Sequence, residues 1–377
     1  LPIAARGVPA PRAISGSRVT DGAEIFSLFK EAGAIDASSE LKITLTPSLA
    51  GSLLDTLDYL AGYPYGCIEQ TMSRFLPTLL VADTLKRIGK ADPELEAELP
   101  KMVKAGIEKV RGHQNPDGGY GWFGSHRASH PFVSAYVAYG LALARQQGHA
   151  VPQETWDKLV AFLEGSLDDL NNTDLEGRAY QVFALAEGGV FRSTDMANLA
   201  RDKDNLGDYA KAVLALALHR AGRDSMARDL VASLASSAVR LNGRAHWAGN
   251  TLRYGNWTSN PIETTAYALR ALIELDGQNP LVRDAMSWLL SRRRGNRWTT
   301  TKDTAAVVMT FSHYVKVTGE LNPDLSVAVS VNGQQVATQR FGAADLGKEA
   351  VTITVPGSAL ADGANQIEIR RTGQGAL

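Results

Sequence analysis

The stretch DLSVAVSVNGQQVATQRF, residues 324–341, decides the architecture. Leu325, Val327, Val329 and Val331 alternate with polar or small residues, and Asn332-Gly333 follows at once. Period-two alternation marks a half-buried strand. Asn-Gly is the strongest short hairpin signal, because both turn residues must take positive φ. VTITV (351–355) and NQIEIR (365–370) read as further strands. At the other end of the chain, LKITLT (41–46) puts Leu41, Ile43 and Leu45 on one face. A single strand there cannot form a stable sheet alone. Residues 1–47 and 320–377 are therefore expected to build one small β domain, with the helical stretch 48–319 inserted between them.

In that stretch apolar residues recur at helical spacing, as in Trp156, Leu159, Val160 and Leu163, or Val307, Val308, Phe311 and Val315. Twelve helices are predicted, near 52–61, 68–89, 94–112, 131–147, 153–165, 174–188, 194–201, 206–221, 223–239, 261–276, 279–293 and 303–317. Three intervening loops look alike: QNPDGGYGWFG (114–124), RLNGRAHWAG (240–249) and RRRGNRWTT (292–300). Each sets Gly and then Trp122, Trp247 or Trp298 after a helix, a weak internal repeat of helix pairs. Twelve helices in pairs suggest six hairpins closed into an α/α ring, with a right-handed solenoid as the open alternative.

Composition narrows the function. The 377 residues are 44% hydrophobic and 21% charged, and the formal net charge is −1. That balance gives no electrostatic case for binding nucleic acid or an anionic membrane. No apolar run approaches membrane-spanning length. The first residues, Leu1-Pro2-Ile3, and the last, GQGAL, read as cuts within a longer protein.

The only cysteine lies in YPYGCIEQ, residues 63–70. Pro64 and Gly66 make a turn, and a helix is expected to open at or just after Cys67. The first amides of that helix would point at the sulfur and favour thiolate. Cys67 and Gln70 stand at i, i+3, so their side chains can touch. A thiolate beside a carboxamide carbon can displace ammonia and leave an internal thioester, an acyl donor toward amines or hydroxyls. Glu69 would shuttle a proton or anchor the turn, and Tyr63 and Tyr65 would cover the sulfur against water. The plainer reading is also open: a single cysteine near an apolar helix is usually a small buried hydrophobe. Pro77 should kink or restart the helix near Ser73.

Tyr63 to Thr71 resembles the Gly-Cys-x-Glu-Gln thioester motif of the α2-macroglobulin and complement family. The bacterial form is the nearer, with aliphatic Ile68 at x where animal proteins commonly carry Gly. WTTTKDT (298–304) looks like the family's segment entering the last helix, and IETTAYALRAL (262–272) like the helix before it. The resemblance implies a mainly α fold, an α/α toroid of about six hairpins inserted into a CUB-like β-sandwich. It further implies a periplasmic protease trap, with any inner-membrane tether N-terminal to this chain. Its partners would be target proteases, captured by lysine amines at the Cys67–Gln70 thioester, and the other macroglobulin domains of a longer protein. No cofactor is implied beyond that internal isoglutamyl thioester, and the activity is inhibition without turnover. Some complement proteins pass the acyl group through a distant histidine. The corresponding region here, DDLNNTDLEGRAY (168–180), has none, so amines should be preferred to hydroxyls.

Other candidates are weaker. His126 and His130 are i, i+4, but no third metal ligand sits at a telling spacing and Pro131 interrupts any helix. His246 lies in a loop. Asp168-Asp169 could be an acid pair but reads as a solvated helix end. Two other classes stay open: an α/α-toroid enzyme acting on a lipid or sugar, with acids converging in the ring and Cys67 an inert buried thiol, and a pure binding module with a titratable cysteine.

Overall fold

The computed structural model describes residues 12, 14, 16, 21–47, 56, 67–87, 93–123, 128–169, 173–241, 243–249, 260–318, 323–345, 350–374 and 377. In chain order they form β1 (Gly22–Lys30), β2 (Glu40–Leu45), α1 (Ile68–Arg87), α2 (Pro93–Arg111), α3 (Pro131–Gln146), α4 (Gln153–Asp168), α5 (Leu175–Glu187), α6 (Ser193–Arg201), α7 (Asp208–Arg220) and α8 (Asp224–Ser237). The short β3 (Val239–Leu241) and β4 (Arg244–His246) follow. Next come α9 (Pro261–Leu275), α10 (Pro280–Ser291), α11 (Thr301–Thr318), β5 (Asp324–Val331), β6 (Gln334–Phe341), β7 (Val351–Pro356) and β8 (Gly363–Gln374). The chain divides into two compact units, one of residues 53–317 and one joining 1–52 to 318–377.

The β unit joins both chain ends in antiparallel sheets. One runs β1-β8-β5-β6 and the other pairs β2 with β7, Ile43 opposite Ile353. Ile43, Leu45, Val327, Val329, Phe341, Val355 and Ile367 share one core between them. The turn after β5 has Asn332 at φ +53° and Gly333 at φ +81°, the left-handed pair that an Asn-Gly hairpin requires. The alternating stretch thus folds as read. β1 escaped the sequence reading because GAEIFSLFK is apolar on both faces: Phe26 and Leu28 pack on the core, while Ile25 and Phe29 are exposed. Alternation has no contrast in such a strand.

In the helical unit the predicted helices from 68–89 onward are found. Of the first, 52–61, only Thr56 is described, as helix. Alternate helices α1, α3, α5, α7 and α9 pack side by side. Thr310 of α11 donates to the Ala266 carbonyl of α9, and Thr301 of α11 donates to Glu69 of α1. The ring is therefore closed, which settles toroid over solenoid. The outer helices α2, α4, α6, α8 and α10 each pack on the inner helix before them. Burial follows position: α3 is buried at every residue from Phe132 to Ala144, whereas α4 buries one stripe, including Trp156, Leu159, Leu163 and Leu167. Helix α1 does not restart at Ser73; it runs through Pro77, held by buried Met72, Leu76 and Leu79 on either side. Gly140 of α3 meets α1 so closely that a Cβ there would lie 2.1 Å from Met72.

The loop repeat is real, but its first aromatic is Tyr120 rather than Trp122. The backbone N–H of Tyr120, Trp247 and Trp298 donates to Ser134, Thr265 and Thr304 respectively, each near the start of the following inner helix. All three rings are buried. The two indoles also donate to carbonyls of the preceding outer helix, Leu234 and Leu289, each at 2.7 Å. The 240–249 segment contains a hairpin of β3 and β4, and the Asn-Gly dipeptide in its sequence is a signal that could have found it.

Candidate functional site

The inner helices run parallel, so their first turns gather at one end of the unit. Asn260 precedes α9 with Pro261 at the first helical position, and its side chain accepts the amides of Ile262 and Glu263. Thr300 caps α11 by accepting the Asp303 amide at 3.1 Å, while Asp303 accepts the Thr300 amide at 3.2 Å, a reciprocal capping box. Asn260 also donates to Asp303, and Lys302 meets Glu263 at 2.6 Å. These contacts bind the starts of α9 and α11 together.

Cys67 stands immediately before α1, half-buried and without a disulfide. Its carbonyl accepts the Thr71 amide at 3.0 Å, the first helical bond. The next amide, Ile68, donates to the Trp122 carbonyl at 3.1 Å, so the 114–123 loop holds the helix start. The Gln70 amide points at Cys67 Sγ, 3.4 Å away, as the helix-start reading required. The balance on the thiol nevertheless goes the other way. Burial pushes the Cys67 pKa up, and repulsion from Glu69 adds to that. The amides of Gln70 and Glu69, with more distant Lys109, only partly oppose it.

Glu69 faces the ring rather than the sulfur. Its carboxylate accepts from Ser73 at 2.6 Å and from Thr301 at 3.0 and 3.3 Å. Ser73 has one proton and gives it to Glu69, so the buried Tyr136 hydroxyl of α3 donates to Ser73 Oγ, 3.0 Å away. Burial raises the Glu69 pKa, and the Ser73 and Thr301 bonds hold it back. Of the two roles read from sequence, the geometry favours the anchor: Glu69 ties α1 to α3 and α11. Ser73, Tyr136 and Thr301 were not singled out in the sequence. Thr301 lies within WTTTKDT, the one signal that could have found it.

Tyr63, Tyr65 and His126 lie outside the described residues. His130 Nδ1 accepts the Phe132 amide at 3.2 Å and caps α3, so its neutral ring carries the proton on Nε2. Burial lowers its pKa. His246 stacks on Trp288 of an outer helix, centroids 4.6 Å apart. Asp168 pairs with Arg192 at an exposed helix end. Among the described residues no group of three or more His, Cys, Asp or Glu could hold a metal, and no helix is long and apolar enough to cross a membrane. Acids do converge in the ring, at Glu69, Glu263 and Asp303, but each is hydrogen-bonded or ion-paired to a neighbouring inner helix or cap.

Residues 41–168 and 190–314 match the family model described as the A-macroglobulin TED domain. Thioester-containing protein 1 allele R1 of Anopheles gambiae is 27% identical over 282 residues, 69% of this chain and 21% of that protein. Alpha-2-macroglobulin of Thermotoga maritima is 26% identical over 275 residues, 71% of this chain and 15% of that protein. The chain thus spans about a fifth of the length of one of these relatives and less of the other. Among solved structures, native Escherichia coli alpha-2-macroglobulin from domain MG7 to the C-terminus superposes with a TM-score of 0.63 at 17% identity, covering 96% of this chain and 57% of that one. Salmonella alpha-2-macroglobulin reacted with methylamine gives 0.63 at 17%, covering 95% and 24%. At such identity the likeness is one of fold.

Proposed function

The chain belongs to the A-macroglobulin family, and from that premise we propose that it is the thioester-bearing part of a protease-trapping macroglobulin, with Cys67 and Gln70 as the cross-link. The reading rests chiefly on Cys67 standing three residues before Gln70 at the start of an inner helix, with the Gln70 backbone N–H donating to Cys67 Sγ. The Cys67 sulfur attacks the Gln70 side-chain carboxamide; the C–S bond forms, the C–N bond breaks, and ammonia leaves with the thiol proton. A lysine amine of a target protease then attacks the same carbon. The amide bond forms, the C–S bond breaks, and the amine proton ends on sulfur. The amides of Glu69 and Gln70 face the sulfur as it takes up negative charge. The thioester is used once, so the protein inhibits by capture and does not turn over. Tyr63 and Tyr65 are proposed to exclude water, the β unit is proposed to be of CUB type, and the longer protein is proposed to be periplasmic.

Intact mass tests the cross-link. A chain lighter by one ammonia that gains one methylamine, mapped to Gln70, supports the thioester. A freely titratable Cys67 thiol with no methylamine adduct in freshly prepared full-length protein would overturn it.

A further inference from the structure

The inner helices end in a second polar cluster, at the opposite end of the helical unit from Cys67. Arg270 of α9 is buried and bonds Tyr139 of α3, Glu187 of α5 and Glu274 of its own helix. Arg220 of α7 meets Glu187 at 3.2 Å and grips Glu274 with two bonds, at 2.7 and 3.2 Å. Beside this cluster opens a cavity of about 350 Å³ between the ends of α3, α5 and α7. Ala142, Ala186 and Phe191 give it apolar wall, and Arg145, Glu187 and Arg220 give it charge. Phe191 is half-exposed at its rim.

The charges do not cancel. Arg145, Arg220 and Arg270 stand against Glu187 and Glu274, three positive against two negative, which leaves one positive charge. Both carboxylates are already held by Arg220 and Arg270. Arg145 has no carboxylate partner among the described residues. Its guanidinium lies over Trp156, 5.0 Å from the ring centre, and donates to Gln153 at 3.2 Å, so it is held in place with donors to spare. Helix C-termini ordinarily repel anions. Here the terminal carbonyls are occupied: Leu143 and Arg145 by the amides of Gln147 and Gly148, Leu185 and Ala186 by those after α5, and Glu187 by the Gln146 side chain at 2.6 Å.

We propose that this cavity binds the C-terminal carboxylate of a peptide whose last residue is apolar, with the carboxylate on Arg145 and the side chain against Ala142, Ala186 and Phe191. The volume is at the small end for a ligand site and suits one or two residues rather than a long acyl chain. The site is independent of the Cys67 chemistry, since it lies at the other end of the helices.

The test is a calorimetric titration of the whole chain with acetyl-Ala-Leu, its C-terminal amide, and octanoate. The free acid should saturate with Kd on the order of 0.1 mM. The amide should bind about tenfold or more weakly, and Arg145→Gln should weaken the acid by a similar factor, with only a small drop in melting temperature from the lost contact with Trp156. Phe191→Ser should also weaken the acid, which checks the apolar wall without touching the charge. Equal binding of acid and amide, no saturation by about 10 mM, or tighter binding of octanoate than of the peptide would each overturn the proposal.

Discussion

Thr301, in the first turn of α11, donates its hydroxyl to the Glu69 carboxylate in the first turn of α1, 3.0 Å away. The last inner helix is thereby joined to the first, one residue from Gln70. Much of the packing between inner helices is carried by apolar side chains such as Phe132, Phe183 and Leu214. At this seam a part-buried acid carries the contact, and loss of one donor leaves it under-satisfied. Thr301→Val keeps the shape and removes the donor, and should cost about 1–3 kcal/mol of stability. Thr301→Ser should restore most of it. Urea unfolding of the three chains decides: an unchanged midpoint in the valine variant would show that packing alone closes the ring.

The helices were legible because the inner ones are so apolar and the outer ones so one-sided that period 3.6 stands out in both. The paired helices suggested a closed ring but left an open solenoid as the alternative, because the contacts that close it are polar and join residues 232 positions apart, Glu69 and Thr301. Strand β1 was hidden by Ile25 and Phe29, which are exposed although apolar. At the site, the helix start at Cys67 and the direction of the Gln70 backbone N–H were legible from the turn and the spacing. Spacing could not give the net effect on the thiol, because desolvation depends on neighbours from other helices. Nor could it give the cap made by His130, which needs the start of α3 to be known.

The Cys67 thiol should titrate above an ordinary cysteine once any thioester has been opened with methylamine. Burial and the Glu69 charge raise it, and the two helix amides do not fully compensate. Iodoacetamide alkylation rates against pH would give the midpoint. Glu69→Gln removes the repulsion and should move it down. A wild-type midpoint below that of free cysteine would mean that the helix start outweighs burial.

Amines should outcompete hydroxyls for the Gln70 acyl group. His130, which caps α3 at this end of the ring, has its Nδ1 lone pair taken by the Phe132 amide, and Nε2 then carries a proton and is no nucleophile. Activated full-length protein, offered equal amounts of glycerol and an alkylamine, should carry mainly amide at Gln70. His130→Ala should leave that ratio unchanged while losing a cap worth about 1 kcal/mol. A predominant ester that disappears in His130→Ala would identify it as an acyl relay after all.

Acid and neutral pH should weaken the helical unit for opposite reasons. Glu274, between Arg220 and Arg270, has its pKa lowered from 4.5 to about 2; burial alone would raise it, and the two guanidinium charges, aided by His313, prevail. A carboxyl depressed in the folded state contributes stability that is present above its unfolded pKa and is lost as pH falls through the folded one. Stability should therefore drop between about pH 4.5 and 2, by on the order of 3 kcal/mol from this group. Glu263 behaves inversely. Full burial, only partly offset by Lys302, raises it to about 7. Its protonated form fits the fold, so stability should fall as pH rises from 4.5 through 7. Urea unfolding at stepped pH separates the two. Glu274→Gln should be less stable at neutral pH and flat on the acid side, whereas Glu263→Gln mimics the protonated acid and should remove only the fall toward neutrality. A Glu263→Gln chain that keeps the full neutral-side slope would place the titrating group elsewhere, with Glu69 and Asp303, both raised by burial, the next to replace.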